Sequence, residues 1–293
     1  MASEPHCLTA TFDPGPVPDA VFEVRLTERQ IDEFHRDGFT SVDRITTDEE
    51  LEWIRPIYDH LYEVKGTFQG GYFDLARPYE AEGLDLVPQV LAPEARFPQL
   101  HQTNAVRNAR TIAAQLLECD SSELNTWSHL ILKPPRVGGP LPWHQDEAYW
   151  DTAFAYRALG CWVPLDQATV QSGCMHFLPG SHHGPVQPHR HIDDDPNVHG
   201  LWTEVTDEQA AVPVPLAPGG ATFHHCRTLH MTTPNVSDHV RRAWATEVQI
   251  APRALPPGEE PDHPWMREAE EAWRRRQLSG PVAVQSDGEG PPS

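Results

Sequence analysis

Pro142-Trp143-His144-Gln145-Asp146-Glu147-Ala148-Tyr149-Trp150 sets an imidazole and a carboxylate two positions apart among aromatic residues. In extended backbone the side chains at i and i+2 share a face, so His144 and Asp146 converge on one point while Gln145 turns away. That pair is half of a metal site, and a third donor must come from elsewhere in the chain. The best candidate is His230, in Phe223-His224-His225-Cys226-Arg227-Thr228-Leu229-His230, because the pair Arg241-Arg242 follows it on a strand-like stretch. Two histidines and one carboxylate with other coordination positions open describe a non-haem Fe(II) oxygenase centre. The spacing alone is weak evidence in a chain with 17 His, and a zinc hydrolase could use the same three side chains.

Composition narrows the setting. A length of 293 residues suits one large domain, and 30 Pro with 19 Gly favour a turn-rich, strand-rich fold over a helical bundle. Asp and Glu total 43 against 22 Lys and Arg, and the net charge of −21 opposes nucleic acid or an anionic membrane as partner. Five widely spaced cysteines without a Cys-x-x-Cys pair are expected as reduced thiols. The start Met1-Ala2-Ser3-Glu4-Pro5-His6 has neither a basic opening nor an apolar run, and no stretch approaches a membrane span, so a soluble, cytoplasmic protein is expected. Nothing in the sequence fixes the oligomeric state.

Residues 1–20, with four prolines, read as an extended arm. Thr27 and Gln30 form a capping box for a helix carrying Ile31, Phe34 and His35 on one face, and Gly38 stops it. Phe39 to Ile45 alternates as a strand, and Thr47 opens a second helix with Leu51, Ile54, Ile57, Tyr58 and Leu61. Gly66 to Arg96 has no period and reads as loop, and Asn104 to Leu117 as a third helix. Strand-like stretches follow at 127–133, 158–165, 174–178, 212–216, 221–225 and 241–250. The His-rich residues 182–200 read as a solvated insertion rather than a second metal site, and 182–212 as a lid over the site. The domain proper is set at 21–255, a C-terminal helix at 256–278 that docks through Trp265, Ala269, Ala272 and Trp273, and a disordered tail at 279–293. Short β segments between Gly/Pro turns suggest two facing antiparallel sheets, mainly β with flanking helices.

Further segments fall in a fixed order: Lys133-Pro134-Pro135, the His144-Gln145-Asp146 motif, Gly173-Cys174-Met175-His176-Phe177-Leu178-Pro179-Gly180-Ser181-His182, Pro218-Gly219-Gly220 leading to His230, Pro234-Asn235, and Arg241-Arg242-Ala243. Together they resemble the phytanoyl-CoA dioxygenase (PhyH) family of Fe(II)/2-oxoglutarate-dependent oxygenases, over roughly residues 26–251. The resemblance implies a double-stranded β-helix (jelly roll, cupin-like) with N-terminal helical support. It implies Fe(II) held by His144, Asp146 and His230, with 2-oxoglutarate and O2 as cosubstrates. It places the 2-oxoglutarate arginine at Arg241, a hydroxyl contact at Thr232, where the family often has serine, and a tryptophan near the same pocket at Trp162. His129 falls where the family residue varies.

Period-2 geometry adds that Arg241, Ala243, Ala245 and Glu247 share one strand face while Arg242, Trp244, Thr246 and Val248 share the other. Small alanines leave room beside a ligand, so Arg241 is expected inward and Arg242 outward in solvent. Trp162 serves equally as a core indole. Tyr149 and Trp150 are either substrate contacts or ordinary packing. The expected function is a dioxygenase, a hydroxylase of a small, largely apolar metabolite of the kind met in secondary metabolism. The alternatives are a non-catalytic binding jelly roll and a family enzyme performing epimerisation or cyclisation. Halogenation would require the carboxylate position vacated, and Asp146 fills it.

Overall fold

The computed structural model describes residues 12–65, 71–78 and 83–279. Its helices are α1 (Glu28–Asp37), α2 (Asp48–Glu63), α3 (Asn104–Leu116) and α4 (Pro264–Ser279). Its strands in chain order are β1 (Phe39–Val42), β2 (Tyr72–Asp74), β3 (Pro88–Leu91), β4 (Leu124–Lys133), β5 (Leu141–His144), β6 (Phe154–Ala155), β7 (Ala158–Pro164), β8 (Met175–Phe177), β9 (Arg190–His191), β10 (Leu201–Trp202), β11 (Val212–Val214), β12 (Ala221–His225), β13 (His230–Thr232), β14 (Arg241–Ile250) and β15 (Arg253–Ala254).

Strand alternation produces two facing sheets. The larger has the order β1-β12-β7-β14-β4-β3-β2 and the smaller β11-β8-β13-β5, with antiparallel pairing throughout. This is the expected jelly roll. Phe39 and Phe177 stack across the gap between the sheets at 4.6 Å. On β14, Trp244 and Val248 turn outward and bury against Ile54, Tyr58 and Leu61 of α2 and Ile112 of α3. Arg241, Ala245 and Glu247 turn inward to a cavity. One sheet therefore packs the core on its helical side and lines the site on the other.

Local chemistry fixes the helices. Thr27 and Gln30 make the capping box of α1, and Gly38 ends it at φ 86, a left-handed conformation that glycine adopts without a Cβ penalty. Phe34 is buried on that helix, whereas His35 is exposed, contrary to expectation. Thr47 and Thr103 cap α2 and α3. Side chains of α3 hold the preceding extended segment by alternate amides: Phe22 donates to Asn104, Val24 to Asn108 and Leu26 to Gln115. Between the two helices Glu50, fully buried, accepts from the Asn104 and Ala105 amides at 2.6 and 3.2 Å. A carboxylate at those unpaired amides satisfies donors that the helix itself cannot.

Three expectations are corrected. Gly66 to Arg96 is not all loop, because β2 and β3 extend the large sheet there. At three and four residues they are too short to show a period. The 182–200 stretch is not a solvated insertion: it buries His189 and His191 and forms the β9–β10 hairpin. Gly200 donates to the Leu75 carbonyl at 2.9 Å and Thr203 to that of Trp143 at 2.8 Å, which joins the stretch to the barrel at these two residues. The strand at Phe39 ends at Val42 rather than Ile45.

The C-terminal helix does dock, with Trp265 and Ala272 buried and the Trp265 indole donating to the Ala148 carbonyl at 2.9 Å. Trp273's side chain, residues 1–11 of the arm and residues 280–293 of the tail lie outside the described residues. Among the described residues no helix is long and apolar enough to cross a membrane, and Cys119, Cys161, Cys174 and Cys226 are free thiols.

Glu50→Ala is expected to lower the free energy of unfolding by about 2–4 kcal/mol, since it strips two buried amides of a charged acceptor. Glu49→Ala, at an exposed neighbour, should change it by less than about 0.5 kcal/mol. Urea denaturation of both variants checks the contrast.

Candidate active site

The site is built where the smaller sheet meets the larger. Antiparallel pairing of β5 with β13 sets His144 directly opposite His230, with ring centroids 4.1 Å apart. Gln145 is extended (φ −124, ψ 134), and Asp146 opens a short 3₁₀ turn rather than continuing the strand. The i, i+2 convergence holds because only the intervening residue has to be extended. One potential ligand atom from each of His144, Asp146 and His230 lies within 4.8 Å of the others, and among the described residues they form the single such group.

Backbone carbonyls fix the imidazoles. His144 Nδ1 donates to the Pro142 carbonyl at 2.7 Å and His230 Nδ1 to that of Thr228 at 2.9 Å. Each Nε2 therefore keeps its lone pair for the shared centre. Burial pushes both imidazoles below their ordinary pKa, which keeps them neutral. Burial acts to raise Asp146, but the facing His230, the bond from His224 and the nearby His144 outweigh it and hold the carboxyl below its usual range. Neutral imidazoles and an ionised carboxylate are the protonation states a metal requires.

Buried side chains brace the Asp146 turn from both flanks. Gln145 donates through Nε2 to the Arg227 carbonyl at 2.7 Å and accepts the Gln187 amide through Oε1 at 2.8 Å, while its own amide donates to His189 Nε2 at 3.1 Å. Glu147 takes a two-pronged bond from Arg227, at 2.7 Å on each arm. His224, on β12, donates from Nε2 to Asp146 Oδ2 at 3.1 Å. Its ring lies over Gly160 of β7, where a Cβ would come within 2.5 Å of the imidazole.

A cavity of about 810 Å³ runs from this centre in two directions. Arg241, on the inward face of β14 as period-2 geometry requires, is 1% exposed, and its Nε and Nη1 have no hydrogen-bond partner. Burial pushes its pKa down to about 10, so it remains a guanidinium at neutral pH. Trp162 lies 5.4 Å from that guanidinium, and Thr232 is buried with Oγ1 unpartnered. The other basic side chain at this end, Lys133, whose pKa burial and the facing Arg241 push well down, opposes Arg241 in register and donates to the Thr233 carbonyl at 2.5 Å. A fixed fork with two unmet donors at the end of a polar recess suits a carboxylate.

The remaining sequence candidates separate. Tyr149 and Trp150 line the cavity, but the Tyr149 hydroxyl accepts the Leu201 amide at 2.7 Å and its ring stacks on His199. His129 lines the cavity opposite Ala245, four residues along the strand from the Arg241 level, and so stands away from the guanidinium it was grouped with. Arg242 turns outward as expected but is not solvated: it pairs with Asp59 at 2.9 Å and Asp166 at 3.2 Å, tying α2 to the sheet. Sequence reasoning missed His224, Glu247 and the Gln145–Glu147–Arg227 brace. Glu247 carried a usable signal, a lone carboxylate on the strand face shared by Arg241 and two alanines. His224 carried none, since its strand, Ala221–His225, also holds Thr222 and His225.

Comparison with known proteins places these features in a family. The model of the phytanoyl-CoA dioxygenase (PhyH) family matches residues 34–243. Phytanoyl-CoA dioxygenase domain-containing protein 1 of Rattus norvegicus is 35% identical over 129 residues, which take in 42% of this chain and 44% of that protein. A probable alpha-ketoglutarate-dependent hypophosphite dioxygenase of Stutzerimonas stutzeri is 37% identical over 120 residues, 39% of this chain and 41% of the relative. The match thus spans under half the length of these relatives. The crystal structure of EvdO2 from Micromonospora carbonacea var. aurantiaca, complexed with 2-oxoglutarate, is 40% identical with a TM-score of 0.72, and covers 82% of this chain and 97% of EvdO2.

A buried guanidinium without partners costs folding energy, so Arg241→Met is expected to raise the free energy of unfolding by about 1–3 kcal/mol in ligand-free protein. Arg241 is a base whose folded pKa is lowered toward 10, so the cost is fully present below that value. The gain should therefore be constant from pH 6 to about pH 9, and urea titrations across that range measure it.

Proposed function

The chain belongs to the phytanoyl-CoA dioxygenase family, and on that premise we propose that it is an Fe(II)/2-oxoglutarate-dependent dioxygenase that hydroxylates a small, largely apolar metabolite. One observation carries the proposal. The same cavity holds a two-histidine, one-carboxylate cluster and, at one end, a buried arginine with two unpartnered nitrogens. A zinc hydrolase would have no use for that arginine.

His144, Asp146 and His230 would hold the iron through Nε2 and a carboxylate oxygen, leaving coordination positions for cosubstrates. Arg241 would take the distal carboxylate of 2-oxoglutarate through its free fork, with Thr232 Oγ1 as a further donor and Trp162 as a wall. With 2-oxoglutarate and O2 bound, iron supplies the oxidising power, and the protein's part is positioning. Gln145, Glu147 and Arg227 keep Asp146 from swinging, and His224 occupies the carboxylate oxygen Oδ2 while leaving Oδ1 to face His230. Tyr149 and His199 wall the cavity and limit the approach of water. Burial pushes His129 and His199 down to about 4, so both present neutral imidazoles to a substrate. An apolar guest suits this lining. The same residues would serve ring closure or epimerisation, and product analysis after turnover distinguishes these from hydroxylation.

Addition of 2-oxoglutarate to the anaerobic Fe(II) protein is expected to give a visible charge-transfer absorption, and turnover should require both O2 and 2-oxoglutarate. His144→Ala, Asp146→Ala and His230→Ala should each abolish iron binding without loss of the fold. Arg241→Ala should weaken 2-oxoglutarate by about 2–5 kcal/mol, roughly 30-fold to several-thousand-fold. Lysine should rescue poorly because it lacks the planar fork. Arg242→Ala should leave 2-oxoglutarate affinity within about five-fold and lower stability instead. Wild-type iron content in any triad variant removes that residue from the site.

A further inference from the structure

Glu247 plays no part in iron or 2-oxoglutarate binding as described above. It stands on the inward face of β14, six residues beyond Arg241, which in a strand is about 20 Å. In register it lies between Trp127 on β4 and Gly160 on β7. Gly160 has no side chain to cover it, and Asp146 Oδ2 lies 3.3 Å from where a Cβ would be. The Glu247 carboxyl thus looks across one bare strand, about 4.8 Å wide, toward the His144–Asp146–His230 centre. No hydrogen bond to its carboxyl is found among the described residues. Apart from Asp146 it is the one carboxyl among the described residues that line the cavity.

We propose that Glu247 is the polar anchor of the substrate chamber, and that the chamber takes an uncharged, largely apolar ring compound bearing a hydroxyl group. The proposal rests on the oxygenase function above and deepens it by naming the substrate class. Trp127 stands beside Glu247 in register, and Trp150, Phe73 and Tyr72 add further aromatic faces to the cavity lining, faces suited to rings. Trp127 is 41% exposed and marks the mouth.

Charge then selects the handle. The basic side chains of the cavity stand at its opposite end, where Lys133 is tied to backbone carbonyls and Arg241 faces the cosubstrate recess. An anionic guest would therefore find no cation beside Glu247 to pair with. Burial, reinforced by the nearby Asp146 charge, pushes Glu247 up to about 8, so at neutral pH it is a carboxylic acid with one donor and one acceptor. A hydroxyl both donates and accepts and so complements it fully. A site built around a hydroxyl rejects the analogue that lacks one, because the site's own polar group is left unpaired.

The test uses full-length anaerobic protein loaded with Fe(II) and 2-oxoglutarate. Equilibrium dialysis is run with aryl alcohols from benzyl alcohol to 9-anthracenemethanol, each beside its methyl and aminomethyl counterparts. At least one alcohol should bind about ten-fold or more tightly than its methyl counterpart, as one satisfied hydrogen bond provides. Glu247→Leu should bring that ratio to within about two-fold, whereas Glu247→Gln, which still donates and accepts, should keep most of it. Both variants should retain the iron–2-oxoglutarate absorption, which reports an intact fold and centre. The proposal is overturned if no alcohol outbinds its methyl counterpart, if the preference survives Glu247→Leu, or if the amines bind tightest. Repeating the dialysis without iron and 2-oxoglutarate keeps the two claims apart: loss of the absorption in wild type would sink the oxygenase assignment, while the Glu247 contrast stays readable.

Discussion

The register that sets His144 opposite His230 is the constraint on which the site depends. Side chains alternate along a strand, so a slip of one residue on either strand would send one imidazole to the outside of the barrel. The register is not left to two short strands alone. Gln145 and Glu147 flank Asp146 and are bound to Arg227, three residues before His230, through the carbonyl and the guanidinium respectively. Both are buried, and a buried amide or carboxylate with its partners met strongly disfavours any displacement that would unmake those bonds. The brace joins the two strand ends at the point where a short sheet would otherwise fray.

The same cavity carries polar groups that the fold alone would not favour. Arg241 and Thr232 have buried polar atoms without partners, and two imidazoles crowd against one carboxylate. Buried polar groups are normally paired, so orphans gathered in one recess mark the shape of something that binds there. Structural demands are met on the other face of the same strand: Trp244 and Val248 pack under the helices, and Arg242 ties α2 through Asp59 and Asp166. Alternation along β14 therefore divides stability and function between neighbouring residues.

Much of this was legible in the sequence, because the signals were local. Thr27 and Gln30 cap α1, Pro and Gly punctuate the strands, and the inward set Arg241, Ala243, Ala245 and Glu247 follows from counting by twos along a ten-residue strand. The cluster of His144, Asp146 and His230 was legible as a motif plus one distant histidine. Elements of two to four residues were not, since β2, β3, β9 and β10 are too short to carry a period and are held by pairing with distant backbone. For the same reason His189 and His191 looked solvated in sequence, whereas tertiary contacts bury both. Arg242 was read correctly in direction and wrongly in environment, because nothing local reveals that Asp59 and Asp166 stand beside it.

Gly160 shows how an unfilled position can shape a site. It lies in the middle of the large sheet, between Glu247 on one neighbour strand and His224 on the other. Were it alanine, the new methyl would meet the His224 ring at 2.5 Å, and His224 would have to leave Asp146 Oδ2. On the Glu247 side, the same methyl would stand between the carboxyl and the cluster of His144, Asp146 and His230. A missing side chain thus lets the His224 ring lie over the strand and orient Asp146, and it leaves only one strand between Glu247 and that pair. Glycine inside a strand ordinarily weakens it. Its occurrence inside the sheet is explained by close approach of ring and carboxylate rather than by any turn, since its backbone is paired on both sides.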